Sequence, residues 1–271
     1  MQNAARTYPT DLSDAPWLLL QPGLPAPSTR GRPRAVALRH ILNGIFYLLQ
    51  AGGAWHLLPK EYGPWATGYG YFRRWSRAGL WEQRNLALRA PVRQQAQRDP
   101  QPSAAILDRQ TSKTSEQACR SGIAAGKKIE GVQRPVLVDT LGLLLGVLGT
   151  PASTQDRAGA RRLLERSLGF CPRLQKVGAD SGYYAQARLE WGASLFPQRP
   201  LVLALVRRLE GVGGFGVRPK RGSVERPLAW LGKRRRRARH YEPRPDPSEG
   251  FIYWAMLSLR LKRLTKTPRR V

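Results

Sequence analysis

Three acidic residues carry the chemistry this sequence could perform. Asp108 closes an apolar run, residues 104–107, ahead of polar Arg109, Gln110, Thr111 and Ser112. That is the pattern of a buried strand delivering one carboxylate to its exposed end. Asp180 closes a second strand-like run, KVGAD, with Gly182 as a turn former beyond it. Glu225 stands at the start of a helix-like segment, SVERPLAWLGKRRRRARHYE. Two strand-end aspartates and one helix glutamate are the parts of a site for two divalent cations, about 3.5–4 Å apart, that clamps the attacking and leaving oxygens of a phosphodiester displacement. Hard, all-oxygen ligands suit Mg²⁺ or Mn²⁺. The intervals between the three acids leave room for a hairpin, a helix and a further strand. On residue types alone, aspartates that merely end strands are the alternative.

The words around these acids resemble the DDE transposases of insertion sequences, in particular the insertion-sequence five family. The strings are YPTDLSDAPW, GRPR, ILNGIFYLLQAGGAWHLLP, GPWATGYGYFRRWSRAGLWE, LDRQTSKT, AGKKIEGVQRPVLVDTLGLLLGV, STQDRAGARRLL, ADSGYY, VERPLAWLGKRRRRARHYE and IYWAMLSLRLKRL, in order from Tyr8 to about Leu264. The resemblance implies an RNase H-like α/β catalytic domain, a mixed sheet with flanking helices, and carries the acidic triad over to Asp108, Asp180 and Glu225. It also implies an arginine four residues before the glutamate, here Arg221, and an N-terminal region that recognises the terminal inverted repeats of a mobile element. Lys113 and Arg221 are the candidates for contacts to substrate phosphate or transition-state charge. Two departures surround Glu225: Gly222-Ser223 replaces the bulky pair usual before the Val-Glu of the motif, and Pro227 stands where the family has a threonine. Proline fits a first helical turn but biases Arg226 away from helical geometry, so this helix is expected to start late. The activity implied is metal-dependent cleavage by water and strand transfer by a freed 3′-hydroxyl. An RNase H-like nuclease without strand transfer, or a decayed copy that binds DNA without cutting it, are the competing accounts.

Charge agrees with a nucleic-acid partner. The 271 residues hold 46 Lys and Arg against 18 Asp and Glu, a net charge of +28, and the pI is near 11.4, which predicts attraction to a polyanion. Eight tryptophans and an apolar content of 41% set the chain apart from a protein that only packs RNA. Cys119 and Cys171 are isolated from each other and from His40, His56 and His240, so neither a disulfide framework nor a zinc site is expected. No apolar run approaches 18 residues and no signal segment is visible, so the expectation is a soluble cytoplasmic protein with no membrane partner. The partners expected are double-stranded DNA, as element ends and as target, and further copies of the chain on that DNA.

The elements that would position this chemistry fall into two modules. Residues 1–90 read as a small all-α unit of helix-turn-helix type, expected to fold alone and bind DNA. A short helix starts at Ser13 or Asp14 with Leu12, Trp17, Leu18 and Leu20 around it, an amphipathic helix runs from Ala35 to Gln50, and further helices span 65–77 and 80–88, split by Gly79. In the helix at 65–77 most aromatics are expected in the small core, with Arg73, Arg74 and Arg77 free to face phosphates. Arg32 and Arg34 flank Pro33 in an extended segment that either lies along a minor groove or is a solvated basic linker. Polar residues 91–102 read as the linker. Residues 103–265 read as the catalytic domain. There a hairpin turns at Asp139 to Gly142, which makes Asp139 a turn residue and not a metal ligand. Asp156 begins a helix with Leu163 and Leu164 inward, and residues 201–206 form a strand. The basic run Lys233, Arg234, Arg235, Arg236 and Arg237 is expected to touch the DNA backbone. A last helix, 251–264, is expected to pack on the sheet with Ile252, Ala255, Met256 and Leu259 inward and Arg260, Lys262 and Arg263 outward.

Overall fold

Local backbone chemistry sets most of the helix limits. The computed structural model describes residues 8–26, 35–113, 122–124, 129–151, 156–179, 201–205, 229–237, 241–242 and 244–266. Helix α1 (Asp14–Leu20) follows an extended Ser13. Helix α2 (Leu38–Ala51) stops where Gly52 adopts a left-handed φ of 79° and its N–H closes on the Leu48 carbonyl, the usual glycine exit from a helix. Helix α3 (Trp65–Arg77) and helix α4 (Leu80–Ala87) are separated by Gly79, also left-handed. Leu12 and Leu20 are buried, whereas Leu18 is 58% exposed.

The expected linker begins as structure. Helix α5 (Arg89–Gln95) buries Arg89 and Arg93. The Arg89 guanidinium donates to the Phe170 carbonyl and to Gln101 Oε1, each at 2.8 Å. Arg93 donates to the Asp99 carbonyl at 2.6 Å and pairs with Asp139, which is fully buried. Reading arginine as a surface residue hides such a helix, because Val92 is the one apolar residue among the three it buries and Arg89 and Arg93 are held by hydrogen bonds.

The sheet is mixed. Strands β1 (Ala104–Lys113), β2 (Gly122–Ala124), β3 (Ile129–Asp139), β6 (Lys176–Ala179) and β7 (Val202–Leu205) lie in the order β2-β3-β1-β6-β7, and β4 (Leu144–Val147) and β5 (Thr150–Pro151) also pair with β3. β1 is antiparallel to β3 and parallel to β6. The β3–β4 turn forms as expected, with Gly142 at φ 74°. Asp139 Oδ1 accepts from the Leu141 and Leu143 N–H groups at 2.9 and 2.8 Å. β1 runs five residues past Asp108, so the carboxylate is inside the strand and not at its end. The long partner β3 supplies backbone hydrogen bonds as far as Gly131, and polar side chains do not stop a strand that still has a partner. Helix α6 (Asp156–Leu168) crosses between β5 and β6. Its Leu163 and Leu164 are fully buried in one cluster with Ala105, Leu107, Val177 and Leu203.

The opposite sheet face shares its core with the N-terminal helices. Val136, Val138, Leu144 and Val147 belong to the same cluster as Leu42, Phe46, Phe72 and Trp81, joined by helix α7 (Pro245–Thr265). Trp254 of α7 is fully buried between Trp81, stacked at 4.4 Å, and Phe46 at 4.3 Å, and Phe251 lies 4.3 Å from Phe72. α7 therefore does not pack on the sheet alone. Enclosed on both sides, it buries nearly its whole circumference. Arg260, expected outside, is 1% exposed and donates to the Leu144 carbonyl at 2.7 Å, and burial pushes its pKa down to about 9. Polar ties reinforce the junction: Glu82 of α4 accepts from Tyr253 at 2.8 Å and from Arg166 of α6 at 2.6 Å, and Arg166 also holds Glu249.

Candidate active site and DNA interface

Asp108 is placed by strand pairing. The β1–β6 register runs from Ala104 opposite Lys176 to Leu107 opposite Ala179, so Asp108 is the first residue past the described parallel pairing. On its other side it faces Val136 of β3. Side chains alternate along a strand, which sets Asp108 on the face of Ile106, away from α6. It is half-buried, and its Oδ1 accepts a hydrogen bond from the Arg109 N–H at 2.7 Å. The carboxyl end of a parallel strand pair is where open α/β sheets bind their ligands. A carboxylate there can accept a metal ion or a proton.

Asp180, Glu225, Arg221, Arg32 and Arg34 lie outside the described residues. Among the described residues no three His, Cys, Asp or Glu side chains form a group able to hold a metal. Lys113 ends β1 opposite Gly131. The structure thus positions one of the three expected acids.

Of the expected DNA contacts, α3 offers Arg74 and Arg77 exposed and Arg73 half-buried, while Phe72 and Trp75 are buried. Arg74 also lies over the Tyr71 ring at 5.4 Å. The basic run divides. Lys233 and Arg235 are exposed. Arg236 is 7% exposed, paired with Glu242 at 2.7 Å and donating to the Gly53 carbonyl at 2.6 Å. Arg234 is half-buried and donates to Gln50 and to Ser258 Oγ. The run was expected to touch the DNA backbone as a whole. The turn Arg235–Arg237 instead docks on the end of α2, where a Cβ on Gly52 would come within 2.7 Å of Arg235, and this turns Arg236 inward. Arg237 lies in the same turn. The sequence offered no signal for this docking, since Glu242 and Gly53 are neutral features of the pattern until the chain is folded.

A sheet in which the first strand runs antiparallel to a hairpin and parallel to the strand after the crossover helix, preceded by a helical region, is an RNase H-like catalytic architecture. Residues 99–261 match the family model described as "Transposase DDE domain", and residues 12–85 match one described as "Putative transposase of IS4/5 family". The chain belongs to the DDE transposase family. It is also 33% identical, over 88 residues, to the "Insertion element IS402 uncharacterized 16.2 kDa protein" of Burkholderia cepacia. That match covers 30% of this chain and 60% of the relative. No helix of the described residues is long and apolar enough to cross a membrane.

Proposed function

We propose that the chain binds the terminal inverted repeats of an insertion sequence and catalyses metal-dependent cleavage and strand transfer of DNA. The observation that carries this reading is the β1–β6 register. It ends with Leu107 opposite Ala179, and in sequence the residue that follows each of these is an aspartate, Asp108 and Asp180. If the parallel pairing continues by one residue, the two carboxylates become neighbours, and Glu225 is the third acid of the set. Asp108 fits a hard cation: it is a partly exposed carboxylate at the carboxyl end of a strand pair. Mg²⁺ or Mn²⁺ bound by Asp108, Asp180 and Glu225 would activate the attacking oxygen and stabilise the leaving one.

The chain's other residues bind and orient. The net charge of +28 draws in duplex DNA, and the exposed Arg74 and Arg77 of α3 with the half-buried Arg73 contact its backbone. Lys233 and Arg235 extend that surface, and Lys113 and Arg221 neutralise phosphate charge near the carboxylates. Further copies of the chain hold the paired ends. A second reading, a copy that binds DNA and no longer cuts it, is favoured by one observation, Pro227 two residues after Glu225.

The test is cleavage of supplied element ends with Mg²⁺. Asp108→Asn should lower the rate at least a hundredfold and leave DNA binding within about twofold. Cleavage by Asp108→Asn at the wild-type rate would remove Asp108 from the site. If wild type and Pro227→Thr both bind proven ends and neither cuts, the second reading stands.

A further inference from the structure

A cleft of about 460 Å³ separates residues 9–16 from the C-terminal half of α7, and its walls include Gln50, Arg234, Ser258 and Lys262. It belongs neither to the sheet nor to the outer face of α3. Its charge is unbalanced. Arg93, Arg166 and Arg236 each meet a carboxylate. Arg234 has no carboxylate partner among the described residues and donates only to neutral Gln50 and Ser258. Asp11 also lines the cleft, but its carboxylate accepts from the Tyr62 hydroxyl at 2.7 Å and the Tyr8 N–H at 3.1 Å. Burial depresses the pKa of Arg234. Lys262 is depressed by burial first and then by the charges of Arg234 and Lys266.

A half-buried guanidinium that shares a cleft wall with an ammonium and pairs with no carboxylate among the described residues gains from an anionic ligand. The Ser13 hydroxyl also lines the cleft and can donate to the same oxygens, whereas the hydroxyls of Ser258 and Thr265 already donate to the Ala255 and Leu261 carbonyls. Tetrahedral phosphate fits this set, because it accepts from a guanidinium, an ammonium and a hydroxyl at once. We propose that the cleft seats one backbone phosphodiester of bound DNA on Arg234 and Lys262, a contact that fixes position and reads no base. The inference rests on DNA being the partner.

Duplex DNA binding should be measured across a salt series for the full chain and for Lys262→Ala. Lys262 is exposed and alanine favours helix, so the variant keeps its fold, which its melting curve checks. The expected result is a three- to tenfold weaker Kd at low salt and a slope of log K against log salt shallower by about 0.9. The ratio of element-end to random-duplex affinity should not change, since a phosphate contact carries no sequence information. Wild-type Kd and slope in Lys262→Ala would overturn the proposal. So would thermal stabilisation by inorganic phosphate that Lys262→Ala abolishes while its DNA slope stays wild type, because the cleft would then take free phosphate. Failure of the wild type to bind any duplex would instead overturn the DNA reading on which the proposal rests.

Discussion

Helices α1–α4 cut out as residues 1–90 should not hold a folded core. Their aromatic interior is completed by α7, more than 150 residues later in the chain. Trp254 is 0% exposed and sits between Trp81 and Phe46, and Phe251 is 0% exposed against Phe72 and Trp55. Replacing a buried Trp or Phe by Ala costs roughly 3–5 kcal/mol. The indole N–H of Trp254 has no hydrogen-bond partner among the described residues, so its loss there is one of packing alone. Without these two rings the fragment forgoes about 6–10 kcal/mol, against a typical total stability of about 5–15 kcal/mol. The assay is near-ultraviolet circular dichroism with thermal melting of fragment 1–90, alone and fused through a flexible linker to residues 245–266. The fusion should melt cooperatively and the bare fragment should not. In the full chain, Trp254→Ala should lose about 3–5 kcal/mol in urea unfolding. A native-like cooperative melt of the bare fragment would refute the reasoning.

Arg93→Ala leaves the Asp139 carboxylate buried without its cation, and should cost about 3–5 kcal/mol in urea unfolding. The double variant with Asp139→Asn should lose less than the sum of the single changes, since the two residues share one interaction. Gly70 lies within α3, and a Cβ built there meets nothing within 4 Å. Gly70→Ala should therefore stabilise the protein by roughly 0.5–1 kcal/mol, read as a rise in melting temperature.

What could be read from the residues depended on whether the decisive partner was local. The ends of α2 and α3 followed from Gly52 and Gly79, whose left-handed backbones are a property of glycine itself. Asp139 was legible as a turn residue because the N–H groups it binds lie two and four residues away. The strand that carries Asp108 was legible in the apolar run 104–107 before it. The continuation of β1 past Asp108 did not, because the cause is the length of β3. The inward turns of Arg89, Arg93 and Arg236 likewise depend on acceptors that only folding brings near. α7 was half legible. Ile252, Ala255, Met256 and Leu259 mark one apolar face, but Phe251, Trp254 and Leu257 fill the rest of the circumference, a pattern that signals burial on two sides.

The closure of one core by segments from opposite ends of the chain sets a schedule for synthesis. At about 5–20 residues per second, the ribosome needs roughly 10–30 s to pass from α4 to α7. Throughout that interval the surfaces of Phe46, Phe72 and Trp81 that α7 will cover stay open to water and to chaperones. A product ended early by a stop codon or a frameshift never receives Trp254. On the proposed reading, such a chain would lack the stable frame from which α3 presents Arg74 and Arg77 to DNA.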